Sequence, residues 1–241
     1  MPKAILFDLD ETIISFGSRR LVLQTVIEEF AARFAPVAPE DAALAMEAGF
    51  RRFWSDEARA AIWRQDLGAG RILAVEGGFA ELRDRVPGLG ADFARTFGQR
   101  FHAYREEQAA FFPGALETIR AFRALGVKLA LVTNGAAEPQ RAKVERFNLA
   151  PLFDHVQIEG EAGFGKPQEQ AYLHAMQALG VEPHETWMVG DNLEWEVAAP
   201  QRLGIYAIWH DHMGEGLPPG SAVTPDRIVR SIAELNPNLA K

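Results

Sequence analysis

Short apolar runs, each ending in polar residues or glycine, constrain the fold of this chain more than any other feature. Ala4-Ile5-Leu6-Phe7 runs into Asp8, Leu129-Ala130-Leu131-Val132 into Thr133, and Trp187-Met188-Val189 into Gly190-Asp191. A strand buried on both faces reads as a continuous apolar run rather than an alternation. The pattern predicts strands over 3–7, 128–132, 155–158, 186–189 and 205–208. Helices are expected over 115–125, 138–147, 168–179 and 193–203, the first stopped by Gly126. Strands alternating with helices predict an α/β fold with a doubly wound parallel sheet. Ligands bind beyond the carboxyl ends of such strands, where Asp8, Thr133 and Asp191 stand.

A long helical block interrupts this alternation after the first strand. From about Leu21 to Tyr104 the pattern is helical. Leu21, Leu23, Val26, Ile27, Phe30, Ala31 and Phe34 form an apolar stripe. Pro36 and Pro39 are expected to end that helix, and Pro39-Glu40-Asp41 to start another. Val86-Pro87-Gly88-Leu89-Gly90 marks a break. The block is too long for a simple strand-to-helix connection. It predicts a separate helical subdomain over 16–110 inserted into a core made of 1–15 and 111–241. The two boundaries, near 15–20 and 107–113, are hinge candidates. Phe16-Gly17-Ser18 suits either a hinge or an ordinary surface turn.

Composition narrows the function classes. The 241 residues are 48% hydrophobic, enough for a sizeable core. A net charge of −8 disfavours a nucleic-acid or anionic-membrane partner, which needs a basic face. The chain has no cysteine, which excludes disulfides and thiolate metal sites. No apolar stretch approaches the roughly 18 residues of a membrane span. The first residues show no secretory pattern, so a cytoplasmic location is expected.

Asp8 and Asp10 lie two residues apart at a strand end and project to one side. Carboxylates that close repel each other and persist with a cation, or with one of them protonated. Both solutions suit an enzyme in which Asp8 is a metal-bound nucleophile and Asp10 a general acid/base. The alternative is a strand ending in a solvated acidic turn.

Three later segments bear on that choice: Lys128-Leu129-Ala130-Leu131-Val132-Thr133-Asn134-Gly135, Gly165-Lys166-Pro167 and Thr186-Trp187-Met188-Val189-Gly190-Asp191-Asn192. With Asp8-Leu9-Asp10-Glu11-Thr12, the ordered set of four resembles the motifs of the haloacid dehalogenase (HAD) superfamily of phosphohydrolases. The resemblance implies a helical cap between the first and second motifs. It also implies a Mg²⁺-dependent phosphatase acting on a small phosphorylated metabolite through an aspartyl-phosphate. Asp8 would be the nucleophile and Asp10 the acid/base. Mg²⁺, a hard ion that prefers oxygen ligands, would sit on Asp8, Asp191 and the Asp10 backbone carbonyl. Thr133, Lys166 and the backbone N–H groups of Leu9, Asn134 and Gly135 would bind the phosphate.

One departure concerns the second acid of the fourth motif, usually aspartate. Here Glu196 stands five residues after Asp191, with Glu194 as a rival and Asn192 as a neighbouring candidate. Glu196 is expected either near Lys166 and the metal or as a solvated first-turn acid. His210 and His212 flank Asp211 but lack a fourth metal partner. In the cap, Arg51, Arg52, Phe53, Trp54, Arg59, Trp63, Arg64 and Arg71 form an arginine–tryptophan-rich stretch. Arg52 and Arg64 are substrate candidates. The alternative is core aromatics, with the arginines paired to Asp56, Glu57 and Asp66. Rival functions are a phosphomutase, a dehalogenase-type hydrolase, for which Asp10 would be superfluous, and a non-catalytic binding protein. Residues 13–110 contain no lysine, which argues against a phosphonate hydrolase with a Schiff-base lysine in the cap.

Overall fold

A computed structural model describes residues 1–63 and 66–238. The chain starts with β1 (Ala4–Phe7) and a short β2 (Ile14–Ser15). Helices α1 (Arg19–Glu29), α2 (Ala31–Phe34), α3 (Pro39–Trp54), α4 (Glu57–Trp63), α5 (Leu67–Leu82) and α6 (Ala91–Glu107) follow. Next come β3 (Ala110–Phe111), α7 (Ala115–Ala124), β4 (Lys128–Thr133), α8 (Ala137–Arg146), β5 (His155–Ile158), α9 (Glu159–Ala162) and α10 (Glu169–Leu179). The last elements are β6 (Thr186–Gly190), a π-helical turn over Leu193–Ala198, α11 (Ala199–Arg202), β7 (Tyr206–His210) and β8 (Arg227–Val229).

The chain divides into two compact units, Met1–Ser15 with Ala110–Lys241, and Phe16–Ala109. The first holds a six-stranded parallel sheet in the order β5-β4-β1-β6-β7-β8. All four residues of β1 are buried, because parallel neighbours flank it and helices cover its faces. Ala4 and Leu6, with Ala130, Val132 and Met188, pack against Tyr172, Ala175, Met176 and Leu179 of α10. After β5 the chain crosses to the far side of β1 to form β6, so the strand order reverses around β1. The ends of β4, β1 and β6 therefore lie side by side at the switch point, where open α/β sheets bind ligands.

The second unit is helical and carries its own core. Phe34, Phe79, Phe93 and Phe97 form a ring cluster, with Phe79 and Phe93 stacked at 5.4 Å. Helices α3 and α5 approach closely at Gly49. A Cβ there would lie 2.5 Å from the Gly78 nitrogen, so no larger residue fits without separating the helices.

Several elements differ from the sequence expectation. The first cap helix ends at Glu29, not at the prolines, because Phe30 leaves helical geometry (φ −113°, ψ 26°) and α2 restarts after it. Leu21 is exposed, since the buried face is set by Val22, Leu23, Val26 and Ile27. The helix expected over 193–203 begins as a π turn. The β2–β3 pair and β8 have two or three residues each, too few for a periodic signal.

Candidate active site

Three adjacent strand ends build the site. At the end of β1, Asp8 donates its N–H to the Val189 carbonyl at 2.9 Å. The Leu9 N–H points back to the Asp8 carboxylate. The chain then turns sharply: Ile13 and Ile14 both donate to the Leu9 carbonyl at 2.9 Å. Glu11 takes up the turn in the left-handed region at φ 57°. Burial places Asp8 among low-dielectric surroundings and raises its pKa, against the pull of Lys166.

Lys166 is fully buried. Its Nζ lies 2.7 Å from Asp8 Oδ1 and 2.7 Å from Glu196 Oε1. Burial alone would lower the lysine's pKa. Attraction to Asp8 and Glu196 outweighs that and holds it above its usual value, so the ammonium stays charged. One ammonium shared by two carboxylates does not neutralise both. Burial pushes Glu196 up to about 7, with Lys166 pulling the other way. Asp191 is raised well above the usual carboxylate range by burial and by repulsion from Glu196, Asp8 and Glu11. The pocket is rich in acids and short of positive charge.

The π turn after β6 brings Glu196 to the lysine. Asn192 caps this turn, its Oδ1 accepting from the Glu194 and Trp195 N–H groups at 3.0 Å. Its own N–H donates to Glu196 Oε2 at 2.8 Å. The Trp195 carbonyl accepts from the Tyr172 hydroxyl at 2.5 Å. Gly190 leaves the room Glu196 needs: a Cβ there would lie 2.0 Å from Glu196 Cγ. Glu194 faces solvent and pairs with Arg202 at 2.9 Å.

Thr133 is buried at the end of β4. The Asn134 side chain clasps the lysine loop from both sides. Its Oδ1 accepts from the Lys166 N–H at 2.9 Å, and its Nδ2 donates to the Lys166 carbonyl at 2.6 Å. The Gly135 N–H, expected to face an anion, donates instead to Glu159 Oε2 at 3.0 Å. That buried carboxylate at the start of α9 needs a donor.

A model of the haloacid dehalogenase-like hydrolase family matches residues 2–204. The chain belongs to this family. It is 32% identical to the phosphoserine phosphatase of Thermus thermophilus over 97% of each chain. It is 28% identical to the glyceraldehyde 3-phosphate phosphatase of Methanopyrus kandleri, over 86% of this chain and 83% of that one. The fold matches that of the HAD hydrolase YfnB of Bacillus subtilis, crystallised with magnesium. The TM-score is 0.67 at 23% identity, covering 99% and 98% of the two chains.

Two residues of this HAD hydrolase that the motifs do not flag also meet the site. Lys143 Nζ lies 2.7 and 2.9 Å from the two oxygens of Asp10. Gln140 Nε2 donates to Thr133 Oγ1 at 2.5 Å, to the Asn134 carbonyl at 3.0 Å and to Asp10 Oδ2 at 3.1 Å. Their i, i+3 spacing on the helix that follows Thr133, and the scarcity of lysine, were the available signals. Elsewhere, Arg52 is exposed and pairs with Glu81, while Arg64 lies outside the described residues. Arg59 pairs with Asp56 at 3.5 Å. The His210 ring meets the Glu11 carbonyl at 3.1 Å and packs on Phe112. Asp211 accepts from the Glu215 and Gly216 N–H groups. No helix among the described residues is long and apolar enough to cross a membrane.

Proposed function

We propose that this protein is a Mg²⁺-dependent phosphatase hydrolysing a small phosphorylated metabolite through an aspartyl-phosphate on Asp8. The observation that carries the proposal is the ion-paired Asp8–Lys166 contact at the end of the central strand, with Asp10 two residues further on. The names of the relatives at 32% and 28% identity, both phosphatases of small metabolites, support the same class.

The donor chemistry fits the ion. Asp8, Asp191 and the Asp10 backbone carbonyl would hold Mg²⁺, all hard oxygen donors. No group of three or more His, Cys, Asp or Glu side chains among the described residues forms a ready cage. A site with two carboxylates suits an ion that keeps several waters and takes substrate oxygens. When bound, Mg²⁺ supplies positive charge that offsets the crowded acids and the incoming phosphate.

In the first step an Asp8 oxygen bonds to phosphorus and the ester P–O bond breaks. Asp10 gives its proton to the departing alkoxide. In the second step Asp10 takes a proton from water, whose oxygen attacks phosphorus, and the Asp8–phosphorus bond breaks. Phosphate leaves and Asp8 is restored. Lys166 balances the charge of Asp8 and of the phosphate oxygens, and Glu196 with Asn134 holds Lys166 in place. The Thr133 hydroxyl and the Leu9 and Asn134 N–H groups complete the oxygen-binding set.

Phosphate release from a panel of small phosphate esters tests the proposal, with Mg²⁺, with EDTA, and with Asp8→Asn. Turnover that needs Mg²⁺ and falls by about 10⁴-fold or more in the variant is expected. Full turnover in Asp8→Asn would remove Asp8 from the nucleophile role.

A further inference from the structure

We infer that Gln140 and Lys143, on one face of α8, are positioning residues that set the acid/base carboxyl of Asp10 and the Thr133 hydroxyl together. The inference rests on the phosphatase reading and deepens it. Both residues are almost fully buried, at 2% and 7% exposure. A buried ammonium needs a charged or hydrogen-bonding partner, and Lys143 spans both oxygens of Asp10. Asp10, with its side chain 29% exposed, is the most open member of the group. Three contacts from α8, between 2.7 and 3.1 Å, hold its carboxyl plane.

Gln140 couples this anchor to Thr133. The Asn134 carbonyl can only accept a hydrogen bond, so the Gln140 amide NH₂ and not its oxygen faces the cluster. Three acceptors share its two hydrogens. The Thr133 oxygen, at 2.5 Å, receives one of them. The Thr133 O–H itself points to the Asn134 carbonyl at 3.5 Å, a long contact that leaves it ready to turn to a phosphate oxygen. A single helix face thus sets a proton-transfer group in the turn after β1 and a phosphate donor at the end of β4.

The leaving group reads this role out. An alkoxide needs Asp10's proton, whereas p-nitrophenolate departs with little help. In Lys143→Met, kcat/KM for an alkyl phosphate ester should fall about 30-fold and for p-nitrophenyl phosphate about threefold, the scale expected when an acid/base group is misplaced. Attack of water on the phosphorus of the aspartyl-phosphate also uses Asp10, as the base, so a burst of nitrophenol should appear in the variant. In an Asp10→Asn background the same substitution should add less than about twofold, because the two residues act as a unit. Gln140→Leu should show the same leaving-group bias, and Lys143→Arg should restore part of the alkyl ester rate. Melting curves of each variant register any loss of fold, and the bias between two substrates of one folded sample is insensitive to it. Equal losses on both esters, or full additivity with Asp10→Asn, would overturn the positioning role while leaving the phosphatase reading intact. Absence of turnover by the wild type on every ester would overturn both.

Discussion

The two units bury polar side chains very differently. Among the described residues the helical unit buries one charged side chain, Arg71, which pairs with His102 and with Glu106 at 3.0 Å. The α/β unit buries many more, and a group of them, Asp8, Lys166, Glu196, Lys143, Glu159, Gln140 and Thr133, lies around one set of strand ends. Buried charge costs free energy unless it is paired and hydrogen-bonded. Natural cores avoid it where packing is the only demand, as the phenylalanine cluster of the helical unit shows. The α/β unit tolerates it where three strand ends converge, and that contrast marks the site without reference to any motif.

Paired substitutions give the largest test of this contrast. Lys166→Met leaves Asp8 and Glu196 buried without their shared cation, which should cost about 3–5 kcal/mol. Phe97→Ala opens a cavity in the helical core and should cost a similar 3–5 kcal/mol. The two losses differ in kind. Lowering the pH protonates the acids and should return part of the Lys166→Met loss, whereas the Phe97→Ala loss should stay nearly constant. Urea unfolding of each variant at two pH values distinguishes them. If both losses respond equally to pH, the difference between the two cores is not electrostatic.

A second pH effect in the α/β unit has the opposite sign. Burial, and then repulsion from His212, lowers the pKa of His210 to about 4, against the pull of the Glu11 carbonyl. The folded protein keeps this ring neutral while an unfolded chain binds a proton near 6.5. Its stabilisation is full above about 6.5 and is lost as pH falls toward 4, by about 2–3 kcal/mol. The raised acids Asp8, Asp191 and Glu196 gain relative stability over falling pH, so the wild-type slope is a sum. His210→Phe should flatten the acid side of that sum. Difference curves of urea stability from pH 7 to 4.5 measure it, and an unchanged slope would mean His210 is protonated in the native state.

Legibility follows the same division. The core strands are short continuous apolar runs, so the polar residues that end them, Asp8, Thr133 and Asp191, stand out. Lys166 and Glu196, 2.7 Å apart, are separated by 30 residues, yet both lie close to a strand end or a glycine turn. The π turn was not legible, because the contacts it makes, Glu196 to Lys166 and the Trp195 carbonyl to the Tyr172 hydroxyl, join residues more than 20 positions apart. Gln140 and Lys143 escape notice for another reason. On a helix with polar residues on several faces, nothing local tells which face meets a neighbouring strand. Gly135 carries a turn signal in sequence, but the choice of Glu159 as its acceptor depends on the start of α9, some two dozen residues later. Asn134 is legible as part of a polar strand end, while its two-sided clasp on Lys166 is a tertiary fact.

The smallest expected effect lies on the helical surface. Arg52 pairs with Glu81, with the two side chains 65% and 34% exposed. An ion pair that open to water is screened and gains little over two hydrated charges. Arg52→Ala should therefore lower stability by less than about 1 kcal/mol at low salt, and the difference should vanish near molar salt. The same variant separates a surface pair from a substrate contact. An arginine that holds an anionic part of the substrate would raise KM about tenfold on removal, with kcat kept, because uniform binding is what such a contact supplies. An arginine that only decorates α3 would leave KM where it was. A tenfold rise in KM with unchanged melting would move a functional role into the unit whose core carries almost no buried charge. It would also show that polarity at the surface, and not in the core, is where that unit keeps its chemistry.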